Sequence, residues 1–412
     1  MRPSLFLSAL ISLGLSGCGG GGSGVTEWNP EAAMDHQFFP SLIIATASVR
    51  PIDDEDQEAK EPDPYLLGDK FGLLGVSIKT PTRNAEVKVT IKENDLIAPT
   101  TWIGKLAEAN HDYYIAPKVN YKFDHLRRVT QQVPMNVDFE VEVNGKSLGD
   151  KTETLQIRSI NDCPYGVANS EETVDDENVA GGSADLGWMF AAYVNENHPQ
   201  LDKILQEALA TKIVDSFDGY QANDPADVVK QVFAIWAALQ KHGIQYSSVT
   251  ETPGGSATVN SQFVRFLDQS IAMTQANCVD GTVLFASLLR KVGINPALVA
   301  KPDHMYLGFY LNSGQNDEEL ELFGLETTMI GAELGESESE LPDVLANIEA
   351  DLSDRARNSK AWKSFAAAVM AANADLDQND DKFDAGDPNW QIIDLAEARD
   401  KGIMPISFEA TR

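Results

Sequence analysis

Apolar residues recur along this chain at two different periods. Val87, Val89 and Ile91 alternate with Glu86, Lys88, Thr90 and Lys92, and Val137, Phe139, Val141 and Val143 alternate with Asp138, Glu140 and Glu142. Strict alternation puts apolar side chains on one face of a strand and polar ones on the other. Asn144-Gly145 supplies a turn after the second run, and Leu155 and Ile157 resume the pattern. These strands predict a β-sandwich-like domain over 41–160. Further on the period lengthens to that of a helix. Val228, Val232, Ile235, Trp236 and Leu239 form the stripe of a helix over 225–242, with Asp224 as its N-cap, Pro225 at its first position and Gly243 as its stop. Met189, Phe190 and Tyr193 belong to an earlier helix and read as core. The fold class predicted is α+β.

Two polar stretches divide the pattern. Residues 50–64 (RPIDDEDQEAKEPDP) read as a linker or long loop, and residues 161–185 read as a boundary between domains. A second domain then runs over 186–342. Beyond it, 343–412 reads as a helical extension, with Trp362, Phe365, Val369 and Met370 on one face and a short closing helix at 391–402.

With 412 residues the chain exceeds one ordinary core, and with 43% hydrophobic and 23% charged residues it is globular rather than disordered. The charge narrows the choice of partners. Lys and Arg number 32 against 63 Asp and Glu, a formal net charge of −31. A protein so acidic lacks the basic face with which nucleic-acid binders track phosphates.

The first residues read as an address. Met1-Arg2 precedes an apolar run from Leu5 to Leu15, too short to span a hydrocarbon core of about 30 Å as a helix. Leu15-Ser16-Gly17-Cys18 follows, so residues 1–17 read as a signal peptide. The tetrad resembles a bacterial lipobox, which implies lipid on Cys18 and a membrane anchor without a spanning helix. Gly19–Gly24 (GGGGSG) then opens a flexible tether over 18–40. Gly19, where an aspartate favours retention at the inner membrane in such lipoproteins, points to the outer membrane of the cell envelope. Cys163 and Cys278 are the two other cysteines. In an oxidising compartment they would either pair or leave a free thiol that needs a reason.

The chemistry concentrates in 262–328. Val279, Val283, Leu284 and Leu288 recur at helical spacing up to Lys291, so Cys278 stands at a helix N-terminus. Unpaired N–H groups and the positive end of the helix dipole favour an anion there, and a thiolate is the anion that a cysteine offers. His304 follows a short strand (Ala297–Ala300) and opens another, Met305–Leu311. Residues 312–318 turn, and a third strand runs from Glu319 to Glu326. A symmetric hairpin register sets His304 opposite Glu326, where a carboxylate can hold one imidazole nitrogen and leave the other for a thiol. A slip of one residue would put the two on opposite faces.

Asn277-Cys278-Val279-Asp280-Gly281-Thr282 and the helix after it resemble the transglutaminase-like cysteine-peptidase superfamily, as do Gln262-Phe263-Val264-Arg265 upstream and Asp303-His304-Met305-Tyr306-Leu307-Gly308 downstream. The resemblance covers about 70 residues closely. It implies a papain-like fold and a triad of Cys278 as nucleophile, His304 as base and Glu326 as orienting acid. Acyl transfer would pass through a thioester on a peptide or protein amide, with no metal or organic cofactor required. The backbone N–H of Cys278, with the side chain of Gln262 or Tyr246, would form the oxyanion hole. Three positions depart from the family: Asn277 and Asp303 stand where glycine is usual, and Glu326 where aspartate is. These departures feed the alternative, a non-catalytic binding or scaffold lipoprotein of the envelope. A Cys163–Cys278 disulfide would make the thiol structural.

One motif lies outside this set. Asp375, Asp377 and Asn379 resemble the opening of an EF-hand-type calcium loop, although Asp380 and Gly386 occupy the places of its glycine and glutamate. The competing reading is a solvated acidic turn.

Overall fold

The computed structural model describes residues 24–49, 63–168, 184–248, 256, 258–314, 319–332 and 341–406. The signal peptide, Cys18 and nearly all of the acidic stretch 50–64 lie outside the described residues. The architecture is mixed α and β, with several separate sheets.

Two sheets are built from residues 27–157. One has four strands in the order Glu27–Ala32, Leu74–Lys79, Asp112–Ala116, Leu66–Gly68; the other has five, in the order Gln37–Phe38, Lys146–Ile157, Val133–Val143, Ala85–Ile91, Thr100–Leu106. The alternation in the sequence is the cause of their burial pattern. Val87, Val89 and Ile91 are fully buried, as are Val137, Phe139 and Val141, and they share one core with Val76, Ile78 and Ile115 of the other sheet. The polar positions between them pair across the strands: Lys88 lies opposite Glu142 and its Nζ reaches the carboxylate at 2.7 Å. Asn144 and Gly145 both have positive φ (50° and 75°), the pairing that a two-residue turn needs to match strand twist. Within the span 18–40 expected to be a tether, Glu27–Ala32 is instead a strand that pairs with Leu74–Lys79.

Of the expected boundary at 161–185, residues 169–183 lie outside the described residues. Asp162–Val167 is a strand, paired antiparallel with Val259–Phe263. It is joined to the preceding sheets by a buried polar seam. Arg158 Nε meets Asp162 Oδ2 at 3.0 Å, Ser41 Oγ donates to the Asp162 carbonyl at 2.6 Å, and Tyr193 Oη donates to the Ile160 carbonyl at 2.9 Å. Buried polar groups need such partners, since an unmet one costs about 1–3 kcal/mol. One continuous apolar core runs from Trp28 to Ile406 across this seam.

Helix Pro225–His242 has the caps expected of it: the Asp224 side chain accepts from Ala226 N at 2.9 Å, and Gly243 ends it at φ 91°. Met189, Phe190 and Tyr193 are buried as expected, in a 3₁₀ helix (Gly187–Tyr193). Helix Cys278–Lys291 packs against a four-stranded sheet ordered Leu322–Leu325, His304–Tyr310, Pro296–Lys301, Gln391–Asp394. The last strand comes from the segment expected to be a helical extension. Residues 391–394 pair with Pro296–Lys301, and only Leu395–Asp400 is helical there. Long helix Lys360–Asp384 packs on the strand at the sheet's other edge. Among the described residues, no helix is long and apolar enough to cross a membrane.

Candidate active site

Cys278 is the first residue of its helix, and the cap beneath it is reciprocal. The Asn277 side chain accepts from Asp280 N at 2.8 Å, and Asp280 Oδ2 accepts from Asn277 N at 3.4 Å. Asn277 is thus the N-cap, a role for which asparagine ranks among the best residues. The same carboxylate accepts from Arg265 N at 2.8 Å and from Arg265 Nη1 at 3.0 Å. Burial pushes the Asp280 carboxyl up from its usual value, while the Arg265 bonds pull it down. Cys278 itself is half-buried and its thiol is free.

His304 opens the adjacent strand after a two-residue turn, Pro302-Asp303, that joins it to Lys301. Asp303 sits at φ 60°, a conformation in which most side chains cost about 1–2 kcal/mol and which glycine adopts freely. The turn geometry therefore favours glycine at this position. Aspartate, whose short polar side chain can bond locally, is one of the few substitutes.

His304 Nε2 bonds Glu326 Oε2 at 2.7 Å, and the Cys278 side chain lies close enough to the ring to act on its titration. With Nε2 engaged by Glu326, Nδ1 is the nitrogen left for a thiol. The Cys278 side chain, then the bond to Glu326, raises the imidazole to about 9 despite the opposing effect of burial. Glu326 is held from its other side too: its Oε1 accepts from Thr328 N at 3.0 Å and Thr328 Oγ1 at 2.6 Å. Burial alone would raise this carboxyl, yet the bonds from His304 and Thr328 leave it below the usual carboxylate range.

The hairpin register differs from the expected one. Leu307 faces Leu325 and Phe309 faces Phe323, so the pairing is displaced by two residues and the strand ends before Glu326. A displacement of two keeps every side chain on its face. Extending the register would set Glu326 beside Tyr306, diagonal to His304. Diagonal neighbours lie about 7–8 Å apart, a gap that the extra methylene of glutamate helps to close.

Several residues that the sequence did not single out hold the three elements together. Thr282, fully buried one helical turn below Cys278, has its Oγ1 2.7 Å from the Cys278 carbonyl and 3.1 Å from Thr327 Oγ1. A Cβ on Gly281 would lie 3.3 Å from Thr327 Oγ1, so glycine permits this approach. Asn373, on helix Lys360–Asp384, brackets the edge strand: its Oδ1 accepts from Gly324 N and its Nδ2 donates to the Gly324 carbonyl, both at 3.1 Å. Glu326 N then donates to the Ala368 carbonyl at 3.1 Å. The capping box was legible as Asn-x-x-Asp; Asn373 carries no local signal.

The remaining candidates stand on other elements. Gln262 lies on strand Val259–Phe263, opposite Cys163, and its amide donates to the neighbouring Phe263 carbonyl at 3.1 Å. Tyr246 is exposed, on a short strand parallel to Gln275–Ala276, just before the nucleophile helix. Cys163 is free and fully buried, so no disulfide joins it to Cys278; burial raises its thiol well above the ordinary value. The expected calcium loop or acidic turn is neither. Asp375, Asp377 and Asn379 lie inside helix Lys360–Asp384, where Asp375 pairs with Lys301 at 2.6 Å and accepts from Tyr306 Oη at 3.0 Å. Successive residues two apart on a helix point about 200° away from one another, so these three cannot converge as in a loop.

No family model matches this chain, and no curated protein does.

Proposed function

We propose that this protein is a cysteine hydrolase or acyltransferase acting on amide bonds through Cys278, His304 and Glu326. In this reading it is held at the cell envelope, at the outer membrane, by lipid on Cys18. The N-terminal sheets form a β-sandwich-like domain that precedes a transglutaminase-like catalytic one. The observation that carries the reading is a single imidazole bonded to a carboxylate that Thr328 fixes, with a helix-start thiol close enough to act on its titration.

The chemistry follows from those contacts. Proton transfer from Cys278 to His304 gives a thiolate and an imidazolium, which Glu326 stabilises. The thiolate attacks an amide carbonyl, and the oxyanion is met by N–H groups at the start of the helix, which have no intrahelical acceptor. His304 returns its proton to the leaving amine, which leaves an acyl group as a thioester on sulfur. Water or a second amine, deprotonated by His304, releases it. Water gives hydrolysis; an amine gives transfer.

Iodoacetamide labelling of the mature body at pH 6.5, followed by peptide mapping, tests this. The expected result is rapid modification of Cys278 that slows at least tenfold in His304→Ala, with buried Cys163 unmodified until unfolding. Equal rates in both proteins would overturn the reading and favour a scaffold without turnover.

A further inference from the structure

We infer that Arg265 is a positioning residue for the nucleophile, which it serves by neutralising Asp280 at the first turn of the Cys278 helix. The inference rests on the reading of Cys278 as the nucleophile. Asp280 stands two residues after the cysteine and is 1% exposed; Arg265 is 8% exposed. A helix start suits a carboxylate, so Asp280 helps form the cap. Yet an anion in the same first turn opposes a thiolate at the helix start, and low exposure leaves little water to screen it. Arg265 resolves the conflict. Its guanidinium and its backbone N–H both bond the carboxylate, and the carboxylate keeps its bond to Asn277 N. The cap is retained while its charge is cancelled. This arrangement gives a physical reason for an arginine twelve residues ahead of the helix cap in Gln262-Phe263-Val264-Arg265. On the adjacent strand, His304 supplies the positive charge and Glu326 balances it.

The test is a charge cycle read by the rate of Cys278 alkylation at pH 6.5, with far-ultraviolet circular dichroism and thermal unfolding confirming that each variant is folded. Arg265→Met leaves the carboxylate uncompensated and is expected to slow labelling about tenfold, the equivalent of one unit in a proton equilibrium. Arg265→Lys keeps the charge and is expected to stay within about threefold of wild type, and the double variant Arg265→Met/Asp280→Asn is expected to regain most of the lost rate, because charge cancellation rather than packing is restored. A folded Arg265→Met that labels like wild type, or a double variant as slow as the single one, would overturn the inference. Should Arg265→Met itself fail to fold, the lysine and double variants decide. Wild-type labelling that His304→Ala does not slow would instead sink the underlying reading of the site, so the two failures are distinguishable.

Discussion

Two hairpins in this molecule are built on different terms. In Val133–Val143 with Lys146–Ile157, the turn Asn144-Gly145 and the inward residues together fix the pairing, and every instruction is local. In His304–Tyr310 with Leu322–Leu325, more than ten residues separate the strands, and the edge strand is bracketed by Asn373 about fifty residues further on. The first hairpin contributes core. The second carries His304 and Glu326, and its register depends on a distant helix. Local pairing is enough to make a stable sheet, whereas holding two reactive side chains 2.7 Å apart draws on supports from outside the strands.

The largest expected effect comes from breaking the second hairpin at its chemical end. Glu326→Gln should lower turnover about a hundredfold or more, the scale of losing an oriented acid–base group. It should also move the alkaline limb of the rate profile down from about 9, since both partners that raise His304 are present in the wild type and one is then weakened. Next comes Asn373→Ala, which touches no substrate. It should reduce kcat about tenfold, because a small misplacement of a positioned group is costly, while unfolding shifts by only a few degrees. Thr282→Val should act in the same direction, with a fall in kcat larger than any rise in KM. Smallest is Gly145→Ala in the first hairpin. A side chain at φ 75° should cost about 1 kcal/mol in denaturant unfolding, with kcat of the folded protein unchanged.

Stability should depend on pH through the second region as well. His304 is raised above its unfolded value, so its contribution is full below about 6.5, the ordinary imidazole value, and is lost as pH rises through about 9. In Glu326→Gln the loss should still begin near 6.5 but be smaller and complete at a lower pH. Unfolding midpoints between pH 6 and 10 measure this directly.

Legibility in the sequence follows the same division. The alternation of Val87–Ile91 and Val137–Val143 foretold buried strands, and Asp224, Pro225 and Gly243 marked the ends of a helix, because each signal lies within a few residues of its effect. The helix that starts at Cys278 and the shared face of His304 and Glu326 were legible for the same reason. The register was not, since a slip of two residues leaves the face pattern intact. Nor was the strand at Gln391–Asp394, whose four residues carry no alternation long enough to read. Asp162, inside the polar stretch read as a boundary, instead forms a buried seam with Arg158. Asp375 and Asn379 matched a calcium loop in spacing, but Trp362 to Val369 propagate a helix through them.

The central claim is that one imidazole links Cys278 to Glu326, and the most direct measurement is the titration of His304 followed by NMR of the labelled ring. The account predicts a midpoint near 9 in the wild type that falls toward the ordinary value near 6.5 in both Cys278→Ala and Glu326→Gln. A wild-type midpoint near 6.5, unchanged in the two variants, would contradict it.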